Sequence, residues 1–149
     1  MLRPLDVDRL DVLVLIDNLT DSLSTNPTNV TAEWSGLLAA GRLPVISGDR
    51  ICCAHHGLSL LITAYVGDRR STLLFDTGNP GRRDSERIVK VVTQVAGMRR
   101  IDHLVTTHYH GDHFGGAAAL SALLPIGSVY DNGEFEGMPD RPDKAYREF

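Results

Sequence analysis

The stretch VTTHYHGDHFGG, residues 105–116, places three histidines and an aspartate within six positions and closes with two glycines. It overlaps the apolar run IDHLVTT (101–107), which predicts a strand, and leads into the small-residue run GGAAALSALL (115–124), which predicts a helix stopped by Pro125. His103, inside that strand, is expected to be a structural histidine. The stretch is therefore a polar turn held between a strand and a helix.

The spacing of the polar residues in this turn is typical of a metal site. His108 and His110 are separated by one residue, so in an extended segment both side chains project to the same side. Gly111 lets the backbone turn, so Asp112 and His113 can aim at a neighbouring point. Imidazole and carboxylate ligands suit zinc, manganese or iron. We therefore predict a metal site rather than a merely solvated polar turn.

A divalent metal held in this way supports hydrolysis, because it lowers the pKa of its bound water to roughly 7 and polarises the bond under attack. Asp112 is the expected catalytic carboxylate, orienting that water or moving its proton. The chemistry needs an open coordination position. Zinc is the preferred metal, with manganese and iron left open.

The remaining apolar runs predict an α/β protein in which helices pack on a mixed sheet. From residue 84 the apolar positions fall at helical spacing, with Asp84 or Ser85 as the cap and Gly97 as the end. The runs that predict strands are 11–17, 58–66, 71–76 and 126–131, the second and third forming a hairpin across a Gly-Asp turn.

The whole chain, residues 1–149, is predicted to form a single partial domain. Residues 18–49 are rich in Ser, Thr, Asn, Gly and Pro and are expected to form a long loop or lid. Residues 132–149 are expected to be an irregular tail with at most weak helicity at its end.

Composition excludes several classes of function. The net charge is −4 without a large Lys/Arg cluster, which argues against nucleic acid as a partner and leaves a small-molecule substrate. No stretch predicts a membrane span or a signal peptide, and the adjacent Cys52 and Cys53 offer no disulfide framework, so a cytoplasmic location is expected.

The block THYHGDH resembles the HxHxDH motif of the metallo-β-lactamase-fold hydrolases, and LLFDTG, with Asp76, resembles an upstream element of that superfamily. The resemblance implies an αββα sandwich with two zinc ions per complete site. His108 and His110 would bind the first metal and Asp112 and His113 the second, with Asp76 beneath them or acting only as a strand-end acceptor.

The N-terminal part of the chain is similar to a subgroup of that superfamily, the dihydropterin ribofuranosyl-aminobenzene phosphate synthase-like proteins. The residues that carry this similarity lie in LIDNLTDSL and AHHGLSLLI. By analogy, the residues expected to face the site are Asp17, Asn18, His56 and Ser59.

The chain departs from the superfamily pattern after the motif, because no histidine follows His113. The expected structure is the N-terminal half of the sandwich, with one apolar sheet face uncovered and available for self-association. The expected function is that of a metal-dependent hydrolase of an ester, lactone, thioester or phosphoester. The alternative is a non-catalytic metal-binding or interaction module.

Overall fold

A computed structural model describes residues 6–16, 57–138 and 140–149. The predicted lid at 18–49, the cysteine pair and the positions Asp17, Asn18 and His56 lie outside these ranges, so those expectations stay predictions.

The described residues form five strands and four short helices. The strands are β1 (Arg9–Ile16), β2 (Ser59–Val66), β3 (Arg69–Phe75), β4 (Ile101–Val105) and β5 (Ile126–Tyr130). The helices are α1 (Arg82–Lys90, continued by a π-helical turn over Val91–Val95), α2 (Gly111–Phe114), α3 (Ala117–Ser121) and α4 (Lys144–Glu148).

The strands form one mixed sheet in the order β1-β2-β3-β4-β5. The first three strands are antiparallel, whereas β3, β4 and β5 run parallel. Strands β2 and β3 form the predicted hairpin, and its turn contains Gly67 at φ 55°, a left-handed conformation that glycine adopts without strain. The α/β class and the mixed sheet with flanking helices are confirmed.

One face of the sheet carries the core beneath the helices. Leu61, Leu74 and Leu104 lie side by side on the three central strands, and each is fully buried. Ile88 and Val92 of the helical segment after β3 join the same cluster and are also fully buried. This packing fixes the ends of β3 and β4 relative to each other.

Helix α1 differs from its prediction at its start. It begins at Arg82 without a side-chain cap, because the carboxylate of Asp84 is turned back to accept hydrogen bonds from the backbone and amide nitrogens of Asn79, at 2.9 and 3.1 Å. The assignment of Asp84 or Ser85 as the cap is therefore wrong. Gly97 does end the helical segment, at φ 64°.

The opposite face of the sheet is apolar, as expected for half of a sandwich. A row of directly paired residues crosses all five strands: Val14, Leu60, Phe75, Val105 and Tyr130. At the edges of this row Val14 is 60% exposed and Tyr130 52% exposed. The self-association expected through this face stays a prediction.

The C-terminal tail is more firmly attached than its composition suggests. It is irregular up to Asp143, whose carboxylate caps α4 by accepting from the backbone nitrogen of Tyr146 at 2.8 Å. Tyr146 is itself buried and joins the core cluster.

Among the residues described, no helix is long and apolar enough to cross a membrane. The cytoplasmic location stays a prediction.

Candidate metal site

The candidate site lies where the parallel strands β3 and β4 end. Asp76 directly follows β3. Thr107 and His108 are the second and third residues after the end of β4. The backbone nitrogen of Asp76 donates to the carbonyl of Val105 at 2.9 Å, so the two strand ends are tied together. Parallel pairing thereby brings side chains about thirty positions apart in sequence to one sheet edge.

Asp76 is the anchor of the site. It is fully buried and is the one non-glycine residue with positive φ, at 57°, among those described. Its Oδ1 accepts from the backbone nitrogen of Thr107 at 2.9 Å, and its Oδ2 accepts from the Thr107 hydroxyl at 2.8 Å. The same Oδ2 lies 2.7 Å from Nδ1 of His113. Asp76 therefore both accepts a backbone hydrogen bond and supports a predicted ligand.

This network determines which ring nitrogen of two histidines is free. A carboxylate only accepts, so the Asp76 contact places the proton of His113 on Nδ1 and leaves the lone pair on Nε2. The Thr107 hydroxyl uses its proton on Asp76, so it accepts from Nδ1 of His108, 3.0 Å away. His108 is thus also left with its lone pair on Nε2.

The third histidine is oriented by the C-terminal segment. Nε2 of His110 lies 2.9 Å from Oδ2 of Asp140, and this contact leaves the lone pair of His110 on Nδ1. Both side chains are about half exposed. A metal-binding histidine commonly donates its other ring N–H to a carboxylate or similar oxygen, which fixes its tautomer.

The three imidazoles lie next to one another. The ring centroid of His108 is 4.5 Å from that of His110 and 4.1 Å from that of His113. Burial lowers the pKa of His108 below its usual value, and the neighbouring His113 and His110 lower it further by repelling its protonated form. A lowered pKa favours the neutral imidazole, which is the form that binds metals.

Asp112 lies at the edge of this cluster. Its Oδ2 is 3.7 Å from Nε2 of His113, and its side chain is mostly shielded from solvent. All four sequence-predicted site residues are therefore brought to one end of the sheet. Ser59, expected to face the site, lies beneath it instead: it is fully buried, and its hydroxyl donates to the Asp76 carbonyl at 2.8 Å.

The paired glycines Gly115 and Gly116 allow the turn to pack tightly against the residues that follow β3. A Cβ on Gly115 would lie 2.5 Å from Cδ of Pro80, and a Cβ on Gly116 would overlap the carbonyl oxygen of Thr77. In return, the backbone nitrogen of Thr77 donates to the His113 carbonyl at 2.6 Å. Any larger residue would push the histidine-bearing turn away from β3.

The donor set fits a divalent cation in type and in proximity. It combines neutral imidazole with carboxylate, and an oxygen partner holds one ring nitrogen of each histidine. The side chains are not converged, however: across residues 6–16, 57–138 and 140–149, no group of three or more His, Cys, Asp or Glu side chains is arranged to hold a metal ion.

A cavity of about 420 Å³ lies next to Tyr109 and is lined by residues of β5, α4 and the segments that adjoin them. Its charged groups are already engaged: Arg147 pairs with Glu134 at 3.0 Å, and Asp131 accepts from the Tyr146 hydroxyl at 3.2 Å. We therefore place the chemistry at the histidines and not in this cavity.

Sequence reasoning missed two residues of the site. Thr107 links Asp76 to His108, and its place directly before the first histidine was the available signal. Asp140 comes from the irregular tail, where no pattern distinguishes it from the other acidic residues.

The fold and the site together define the class of this protein. A family model described as the metallo-beta-lactamase superfamily matches residues 55–149, so the chain belongs to that superfamily. The match begins before β2 and runs to the end of α4, so it includes the whole histidine cluster.

Several known proteins are similar to parts of the chain. A lactamase-like protein of Pestalotiopsis microspora is 36% identical over 72 residues, which is 47% of this chain and 22% of that protein. An atrochrysone carboxyl ACP thioesterase of Passalora fulva is 33% identical over 79 residues, 53% of this chain and 22% of the relative. Competence protein ComA of Neisseria gonorrhoeae is 33% identical over 87 residues, 58% of this chain and 11% of the relative. The chain thus spans about a fifth or less of the length of these relatives.

Proposed function

We propose that this chain carries the first metal-binding half of a zinc-dependent hydrolase. The observation that carries the proposal is the hydrogen-bond network that leaves one nitrogen of each imidazole free: Nε2 of His108, Nδ1 of His110 and Nε2 of His113. Three such nitrogens beside a carboxylate suit zinc, with manganese or iron as alternatives. Asp112 and His113 would serve a second ion where the site is complete.

The proposed reaction is hydrolysis of an ester, lactone, thioester or phosphoester. A divalent cation in such a site supplies a water of lowered pKa and polarises the bond under attack. The chain's own part is to hold neutral imidazoles in place and to provide Asp112, whose carboxylate can accept a proton from an attacking water. The thioesterase named among the relatives supports a thioester as the first substrate to test.

A second candidate is a metal-binding or interaction module without catalysis. The sequence has no histidine after His113, so the three clustered histidines all come from the one turn that follows β4. The exposed apolar face of the sheet also leaves room for another chain or another segment to complete the fold.

Turnover of a thioester by the zinc-loaded chain separates the two candidates. We expect hydrolysis that is abolished by chelation and by His110→Ala, and that is reduced by Asp112→Asn while the first zinc ion stays bound. His103→Ala is the matched control, because His103 lies on the opposite face of the sheet, near Tyr130. Zinc binding without any turnover would support the module, and turnover that survives chelation would overturn the metal-dependent mechanism.

A further inference from the structure

A small apolar cavity of about 160 Å³ lies directly beside the histidine cluster. His108 and His110 form one side of it, and the apolar side chains of Tyr109, Phe135 and Met138 form much of the rest. Asn132 and Asp140 complete its lining, so the segment that follows β5 supplies four of the residues that surround it.

The chain after β5 is folded so that its two apolar side chains meet this cavity. The backbone nitrogen of Met138 donates to the carbonyl of Phe135 at 3.4 Å, and Gly137, at φ 79°, reverses the chain between them. Met138 is partly buried against the core, and the contact between Asp140 and His110 fixes the chain just beyond it.

Phe135 is the unusual member of this wall. It is 58% exposed, although it lines a concave apolar surface. A large aromatic side chain left in water beside an apolar cavity gains by contact with an apolar ligand, which would remove both surfaces from water.

We propose that this cavity binds the apolar acyl group of the substrate, with the bond to be cleaved lying at His108 and His110. An apolar cavity of about 150 Å³ accommodates a molecule the size of benzene, so the matching group is an apolar chain or ring of about six carbons. This inference rests on the proposed hydrolase function and narrows its substrate to esters or thioesters of short apolar acids.

The first arm of the test measures binding without catalysis. Zinc-free protein labelled at its methionine methyl groups is titrated with hexan-1-ol, which contains no bond to hydrolyse, and with glycerol as the polar control. The Met138 methyl resonance should shift saturably with hexan-1-ol and should not shift with glycerol. Met98, buried in the core outside this cavity, serves as an internal control and should not shift. An unchanged Met138 signal, or equal shifts at both methionines, overturns the proposal.

The second arm measures chain-length preference in the zinc-loaded protein. Values of kcat/KM should rise from acetyl to hexanoyl thioester and then level off at dodecanoyl. Phe135→Ala should lower the hexanoyl-to-acetyl ratio by about tenfold. Leu123→Ala removes an exposed apolar side chain outside this cavity and should leave the ratio unchanged.

The two arms fail independently. A Met138 shift without hydrolysis of any thioester supports the cavity and counts against the proposed hydrolase function. Hydrolysis without chain-length preference and without a Met138 shift overturns the cavity and leaves the hydrolase function standing.

Discussion

Replacing Asp76 with alanine removes the anchor of the histidine cluster and should destabilise the fold without any metal. The backbone N–H and the hydroxyl of Thr107 both lose the carboxylate oxygen that accepts their hydrogen bonds. Nδ1 of His113 loses the carboxylate oxygen that lies 2.7 Å away. Each buried donor left unsatisfied costs about 1–3 kcal/mol. Thr107 and His113 are only partly buried, so water can reach the released donors and each of the three losses should be about 1 kcal/mol. Alanine also tolerates the φ of 57° less well than aspartate does, by about 1 kcal/mol, so we expect a total loss of about 3–5 kcal/mol.

The matched variant is Asp76→Asn, which keeps an acceptor for the Thr107 backbone N–H and tolerates the left-handed conformation. It should cost only about 1–2 kcal/mol, because the amide nitrogen that replaces Oδ2 cannot accept from the Thr107 hydroxyl or from Nδ1 of His113, and these two groups must reorient or turn to water. Urea denaturation in the presence of a chelator, followed by circular dichroism, gives both free energies of unfolding. A loss below about 1 kcal/mol for the alanine variant, or an equal loss for both variants, would refute the anchoring role.

Three further predictions concern packing and pH. Gly115→Ala should lower the free energy of unfolding by about 1–3 kcal/mol, because the added Cβ has no room. A Cβ at Gly111 meets nothing, so Gly111→Ala should be neutral or slightly stabilising. Urea denaturation compares the two variants, and equal losses of stability would contradict the packing. Burial raises the pKa of Tyr146 and of Tyr109 to about 12, so the stability that each contributes below about pH 10 should be lost as pH rises from about 10 to about 12. Absorbance at about 295 nm should show that both phenols lose their protons above the usual pH. Titration of both near pH 10 would disprove their burial. Burial lowers the pKa of His108 in the metal-free protein, so stability should fall as pH drops below about 6.5 toward that lowered pKa. Proton NMR measures the pKa of this ring, and a value at or above the ordinary one would count against its burial.

The strands and the long helix could be predicted because their apolar periods are local. The observed β2 and β3 lie close to the predicted 58–66 and 71–76, and the helical segment ends at Gly97 as expected. The start of that segment could not be read from the sequence, because Asp84 looks like a cap but is turned back by the loop that carries Asn79. Only the folded loop shows which of the two roles the carboxylate takes.

The site was predictable as far as it is contiguous in sequence. His108, His110, Asp112 and His113 lie within one turn, so their spacing alone indicates that they meet. Asp140 reaches His110 from thirty residues away, through a segment without periodicity. Such a contact depends on how the tail folds.

The aromatic packing that holds the tail was missed for the same reason. Tyr146 lies edge-on to Tyr109 and Phe114, with ring centroids 5.8 and 5.3 Å away. Tyr109 and Phe114 belong to the turn that carries the histidines, whereas Tyr146 belongs to the tail, so no local pattern in the tail reveals that it is anchored against that turn.

Titration of the purified chain with cobalt(II), a coloured substitute for zinc, tests the central claim most directly. If the histidine cluster holds a divalent cation, visible absorption should develop saturably, zinc should displace it, and His110→Ala should weaken binding strongly while His103→Ala leaves it unchanged. Absence of saturable binding, or equal affinity in His110→Ala and the unmodified chain, would contradict the assignment of this cluster as a metal site.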